Sequence, residues 1–426
     1  MSITRRELLY SAGAMGGLGL LGAPSVWARP VRAGDRKFLF IYCFGGADQT
    51  TVYVPTMAHT SIPDEPGALS AAAGDLVYVD HEARPAVRDF LETYGDRTAF
   101  LHGLEVRSIS HERCQQLVLT GSADSDVDDW PTLLAGNAAA DITLPALVHS
   151  GPAFSSRFSD AVIRLGETGQ LSTLIDGTAL TERSSMPVVA QSAEISSLVD
   201  DYVSRRSGRL VGADGGLRRF SQAYLNSLER LDSLKELSGE VDLSLEAALE
   251  LPDQVQPILD CLELGLARTG MIEFKGVNQE GFDTHSANYR QSGHFERLFS
   301  DLQLVVDDMA GRPGTAGGSL LDETCIVVFS EMGRHPLLNS EQGKDHWTFT
   351  SAMLIGSGVA GGRAYGGYGE NFEGAPIIPE TGEVHDSGIR LLSNHLGATL
   401  LALGDVDPGE YLPGIDPITA ILADSA

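Results

Sequence analysis

Cationic side chains are scarce in this sequence: 30 Lys and Arg stand against 58 Asp and Glu in 426 residues, a formal net charge of −28. A surface this acidic repels phosphate backbones and anionic lipid, and no basic run offers a local exception, so no nucleic-acid partner is expected. Cysteine is also scarce. The four residues Cys43, Cys114, Cys261 and Cys325 are too few and too scattered to form a disulfide framework. Cys43 and Cys325 fall in apolar strand-like runs, and buried free thiols are the default expectation for both. No apolar run reaches the ~20 residues of a membrane-spanning helix, and no stable membrane anchor is expected. Internal repeats and low-complexity runs are missing too. What remains is an ordinary globular composition, 42% hydrophobic and 21% charged.

Residues 1–28 read as an address. Arg5-Arg6 precede an apolar, glycine-rich stretch from Ser11 to Ala23, and Val26-Trp27-Ala28 supplies a small-residue cleavage site. That order is the twin-arginine type of signal peptide, so a periplasmic or secreted protein is expected. Residues 29–426 then form one domain. Lys37–Cys43 is a continuous apolar run, as expected of a strand buried on both faces of a parallel sheet. Similar runs recur at Leu76–Val79, Thr98–His102, Ala146–His149, Met271–Phe274, Cys325–Ser330 and Ala352–Ile355. Helical patterns alternate with them at Ala86–Tyr94, Cys114–Leu119, Phe295–Met309 and Ile389–Leu403. The alternation predicts a doubly wound α/β layer structure. A stretch from about 192 to 270 breaks it: Leu217, Phe220, Tyr224, Leu228, Leu231 and Leu234 step at helical spacing, and a helical insertion packed on the sheet is expected there.

In such folds ligands bind beyond the carboxyl ends of the strands, and metal-type residues collect at those ends here. Asp48 follows the first strand across Gly45-Gly46. Asp283-Thr284-His285 follows Met271–Phe274, Glu331 follows Cys325–Ser330, and Asp345-His346 precedes the Ala352 run. His111 follows the Thr98–His102 strand and opens a helix. Singly, each has a plain explanation, since an aspartate after a strand is an ordinary turn residue. Together they form a mixed His, Asp and Glu set without Cys, which suits zinc first and otherwise manganese, calcium or magnesium. The set is large enough for one or two divalent ions, and a pair would clamp the attacking and leaving oxygens of an ester. Arg113, Arg334 and Lys344 are possible anion contacts, although a solvated side chain is the simpler reading of each.

Gly45-Gly46-Ala47-Asp48, Gly281-Phe282-Asp283-Thr284-His285, Ser330-Glu331-Met332-Gly333-Arg334 and Asp345-His346, followed by the glycine-rich 356–362 segment, resemble one bacterial family, domain-of-unknown-function family 1501. That family is similar to the alkaline phosphatase and sulfatase superfamily. The resemblance implies a three-layer α/β/α sandwich, a small anionic ester as substrate, and metal-dependent hydrolysis of phosphate or sulfate esters. It implies Asp48, Asp283, His285, Glu331 and His346 as ligands, with Asp345 in or beside the set. Met332 departs from the superfamily pattern, which has a histidine there. His111-Glu112-Arg113-Cys114 through Leu119-Thr120-Gly121 resembles the sulfatase nucleophile helix and puts His111 in the nucleophile's place. His111 is then a nucleophile, a ligand or a general acid, with Ser108, Ser110 and Cys114 as alternatives. The competing expectation is a non-catalytic exported binding or assembly module of the same fold. A phosphoryl transferase or mutase is a third.

Overall fold

The computed structural model describes residues 32–138, 142–165, 193–212 and 250–423, with short helical stretches between 216 and 228. The segment read as a signal peptide lies outside the described residues. So do Phe220, Leu231 and Leu234 of the amphipathic pattern, whereas Leu217 is exposed.

Eight strands form the central sheet: β1 (Lys37–Cys43), β4 (Thr98–Glu105), β5 (Ala146–Val148), β6 (Val162–Arg164), β7 (Thr269–Phe274), β8 (Thr324–Phe329), β11 (Phe349–Gly356) and β12 (Arg363–Tyr365). Their order is β12-β4-β11-β8-β1-β7-β5-β6. The apolar run at β1 is buried at all seven positions, because it is central: Phe40 lies opposite Met271 on one side and Val327 on the other. Side chains alternate across a strand. Leu39, Ile41 and Cys43 therefore enter one apolar cluster, and Phe38, Phe40 and Tyr42 a second on the opposite face.

Helices cover both faces, giving three layers. The first cluster takes in Phe90 of α1 (Pro85–Tyr94), Ile258 of α5 (Gln256–Glu263) and Phe299 of α6 (Arg290–Gly311), α5 and α6 following α4 (Ala193–Leu210) along the chain. The second takes in Val118 of α2 (His111–Thr120), Leu134 of α3 (Trp130–Gly136) and Leu400 of α7 (Ser393–Leu403). Within the expected insertion, Ile195, Leu198, Val199 and Tyr202 of α4 are exposed, whereas α5 is part of the core. No helix among the described residues is long and apolar enough to cross a membrane.

Two strands depart from the sequence expectation. Leu76–Val79 leaves the main sheet: β3 (Leu76–Asp80) pairs antiparallel with β2 (Leu69–Ala73) in a separate ribbon. β11 lies in the main sheet but runs antiparallel to both β8 and β4, while the neighbouring pairs elsewhere in the sheet are parallel. The cause is the connection from β8 to β11. It carries only the small β9 (Gly333–Arg334) and β10 (His346–Trp347) pair and no crossover helix, and a parallel return needs such a crossover. This reversal positions the site. β11 starts at the edge where β1, β4, β7 and β8 finish, so the residues just before it join the residues just after them.

The four cysteines are free and buried. Cys325 is opposite Phe38, five residues along β1 from Cys43, or about 16 Å of strand, and a Cys43–Cys325 bridge is ruled out.

Candidate metal centre

Four strand ends deliver the imidazoles and carboxylates. The loop after β4 leads into α2, whose first residue is His111; the loop after β7 carries Asp283 and His285; Glu331 follows β8 by one residue; His346 opens β10. The β1 and β7 loops approach closely at Gly45. Its φ of +109° suits glycine, and a Cβ there would stand 2.4 Å from Asp283 N. Gly343 does the same on the other side, where a Cβ would lie 2.0 Å from His285 O. The sequence thus keeps side chains out where backbone must meet backbone.

His111, Asp283 and His346 converge, each offering one ligand atom, with all three atoms within 4.8 Å of one another. Both imidazoles are fixed from behind. His346 Nδ1 lies 2.7 Å from the Ile109 carbonyl oxygen, which can only accept, so Nδ1 carries the proton and Nε2 presents a lone pair to the cluster. His111 Nδ1 lies 2.7 Å from Glu331 Oε1, and its Nε2 is buried without a hydrogen-bond partner, 3.5 Å from Asp283 Oδ2. A histidine whose far nitrogen donates to a carboxylate or carbonyl while the near one faces other donors is the usual outer-sphere arrangement of metal ligands. The orphaned Nε2 and the two-nitrogen, one-carboxylate set fit a divalent ion such as zinc. His285 adjoins the group: its Nε2 is 2.9 Å from His346 Nε2 and 3.3 Å from Asp283 Oδ1. Its side chain is 49% exposed, which makes it the cluster's solvent-facing imidazole.

The electrostatics match. Two carboxylates raise the His111 pKa to about 9, chiefly through the contact with Asp283 and then Glu331. Burial works against ionisation of Asp283, but His111 and Arg334 hold its carboxyl far below the usual range. His346 is lowered by burial and by the nearby Arg334 charge, which keeps its lone pair available.

Four expected ligands stand outside this set: His285, which adjoins it, and Glu331, Asp345 and Asp48. Glu331 is fully buried and accepts from Gly45 N at 2.9 Å as well as from His111, so it anchors that imidazole. Asp345 is exposed, 3.6 Å from His285 Nδ1, and accepts from Asn339. Asp48 is fully buried and its oxygens are taken by Lys344 Nζ and Asn288 Nδ2, both at 2.8 Å, and by Thr50. Burial would push its carboxyl up, but the Lys344 ammonium holds it down.

The solvated reading holds for Arg113, which is exposed and bonds Gln116 and Ala123 O. It fails for Lys344 and Arg334. Arg334 is fully buried: Nη2 donates to Gly45 O and Asp283 Oδ1, Nε to Gly46 O at 3.1 Å, and Nη1 to Lys344 O at 3.0 Å. One guanidinium thereby ties three loops together, using the fixed fork of donors that lysine lacks. Gln291, overlooked in the sequence, accepts from Asp48 N and donates to Phe282 O. Its only signal is its place in the first turn of a helix that follows Asp283 closely. Of the alternative nucleophiles, Cys114 is buried and its thiol pushed up to about 11 by burial, and the Ser110 hydroxyl donates to Glu112. Met332 packs with Cys114 and Val106 in a small apolar cluster. Beside Asp48 and Lys344 lies a pocket of about 510 Å³ walled partly by Tyr289, Leu337 and Leu338, within the size range of small-molecule sites.

A three-layer α/β/α protein with a His-Asp-His cluster at the carboxyl edge of a mixed sheet is the class that fold and site define. The chain belongs to the family described as "Protein of unknown function (DUF1501)", which matches residues 35–372. No curated protein matches it. Similar solved structures include the lipoteichoic acid synthase LtaP from Listeria monocytogenes (8% identity, 97% of this chain and 82% of that one, TM-score 0.41). They also include the C-terminal periplasmic domain of EptC from Escherichia coli (9%, 93% and 89%, 0.41). A third is a protein in the alkaline phosphatase superfamily from Vibrio parahaemolyticus (11%, 93% and 74%, 0.37). At such identities the chemistry rests on this chain's own residues.

Proposed function

We propose that this protein is an exported metal-dependent hydrolase of phosphate or sulfate esters, carried by one domain that follows the segment read as a signal peptide. The observation that supports it most is the convergence of ligand atoms from the start of α2, the loop after β7 and the start of β10, with both imidazoles anchored through Nδ1. His111, Asp283 and His346 would hold the ion. When bound, it supplies Lewis acidity and positive charge toward an anionic ester. Arg334 orients Asp283, and Glu331 orients His111. His285 is the proton-transfer group: it faces solvent beside the ligands and has Asp345 behind its Nδ1. The attacking group is water; the Cys114 thiol is buried and the Ser110 hydroxyl donates to Glu112. The apolar-walled pocket beside Asp48 and Lys344 accommodates the organic portion of the ester.

The test pairs metal content with hydrolysis of 4-nitrophenyl phosphate and 4-nitrophenyl sulfate in the presence of zinc, manganese, calcium or magnesium. His346→Ala should lose both metal and hydrolysis. His285→Gln should keep the metal and lose at least tenfold in kcat. A protein that takes up no metal, or one for which His285→Gln hydrolyses at the wild-type rate, refutes the assignment. His111 standing in the place of a hydroxyl or thiol nucleophile favours a second reading, a non-catalytic metal-holding module. Bound metal with no hydrolysis of either ester class would establish that one.

A further inference from the structure

We propose that Lys344 is a built-in substitute for a second metal ion, so that this chain takes one divalent cation and not two. The inference rests on the metal reading above and concerns how many ions the edge of the sheet can hold. A second ion a few ångströms from the first would need a further free carboxylate, and Asp48, after β1, is the expected ligand left to supply it. Asp48 cannot. A carboxylate has about four acceptor sites, and four donors already reach this one. Lys344 Nζ and Asn288 Nδ2 are on Oδ2, each at 2.8 Å; Thr50 Oγ1 and Thr50 N are on Oδ1, at 2.9 and 3.1 Å. Lys344 Nζ also donates to Thr50 Oγ1 at 2.7 Å, closing a ring of ammonium, hydroxyl and carboxylate.

The ammonium is held there by its backbone as well as by its charge. Lys344 N donates to Thr284 O at 3.0 Å, and Lys344 O accepts from Arg334 Nη1. Arg334 in turn donates to Asp283. The pair is therefore braced against the carboxylate proposed to bind the ion, and only Asp345 separates Lys344 from His346. Fully buried lysine and aspartate side chains occur chiefly as partners. Here the partnership neutralises the carboxylate by one unit of charge, and a divalent ion at Asp48 would have to expel a buried, triply anchored lysine.

Elemental analysis of the full-length chain after dialysis against zinc or manganese decides the matter. Wild type is expected to hold one ion per chain, and Asp48→Asn to hold one as well. Lys344→Met leaves Asp48 buried and uncompensated; its melting temperature should fall without metal and rise again with it, as content moves toward two. Two ions on wild type would overturn the proposal, and so would loss of the ion from Asp48→Asn at unchanged melting temperature. A Lys344→Met variant that folds and still holds one ion would also overturn it. If Lys344→Met does not fold, wild type and Asp48→Asn still decide. A wild type with no ion would instead refute the metal reading itself.

Discussion

If His111 is a ligand, metal uptake must be a proton exchange, and its size follows from the site. His111 sits between Asp283 and Glu331, which raise its pKa to about 9. Only the deprotonated Nε2 can ligate, so below pH 9 an incoming ion competes with a proton. At pH 7 the handicap is two pH units, about 100-fold in affinity or ~2.7 kcal/mol. Apparent affinity should rise about tenfold per pH unit from roughly pH 6.5 to 9 and flatten above, because His346, lowered by burial, adds no second proton there. Chelator competition at pH 6.5, 7.5 and 8.5 would measure the slope. Calorimetry in buffers of different ionisation enthalpy would count about one proton released per ion. Glu331→Gln keeps the imidazole but removes one of the carboxylates raising its pKa, so its slope should be shallower near pH 7. Affinity independent of pH, or wild-type affinity in His111→Ala, refutes the reasoning. The metal-free protein carries the opposite sign. A raised folded-state pKa contributes stability fully present below the unfolded value near 6.5 and lost as the pH climbs through 9.

His102 shows the reverse linkage away from the site. Burial lowers its pKa to about 4, so the stability it contributes is present above about pH 6.5 and lost as the pH falls, amounting to about 3 kcal/mol by pH 4. Urea unfolding at pH 7 and pH 4 should show a smaller acid loss in His102→Gln than in wild type; equal losses would remove His102 as the cause. Gly45→Ala places a methyl group against Asp283 N at a φ disfavoured for alanine. It should weaken metal binding at least tenfold. Unchanged affinity would show that the β1 and β7 loops need not meet closely.

His111, Asp283, His285 and His346 stood out in the sequence because imidazoles and carboxylates gather beyond apolar runs at the carboxyl edge of the expected sheet, and the structure brings these four side chains together. The layers were equally legible: the β1 run is buried on both faces, and only a central strand needs that. Roles within the cluster were harder to read. Glu331 and Asp48 are carboxylates in the same kind of position as Asp283, and only their three-dimensional neighbours set them apart from it. Arg334 and Lys344 read as solvated because charged side chains usually are; their burial depends on partners more than fifty residues or nearly three hundred residues distant. The reversal of β11 had no local signature either. It follows from the missing crossover helix, which the glycine-rich loops disguised.

That reversal has a bearing on folding. Because β11 enters the sheet from the site's side, His346 can reach His111 only after strands from both halves of the chain have paired. Loop closures of this length are entropically costly and slow, so the ligand cluster should be among the last features to assemble. If the cluster holds an ion, its capture would report completion, and a lesion in the β4-β11-β8-β1 stack would show as a failure to hold it.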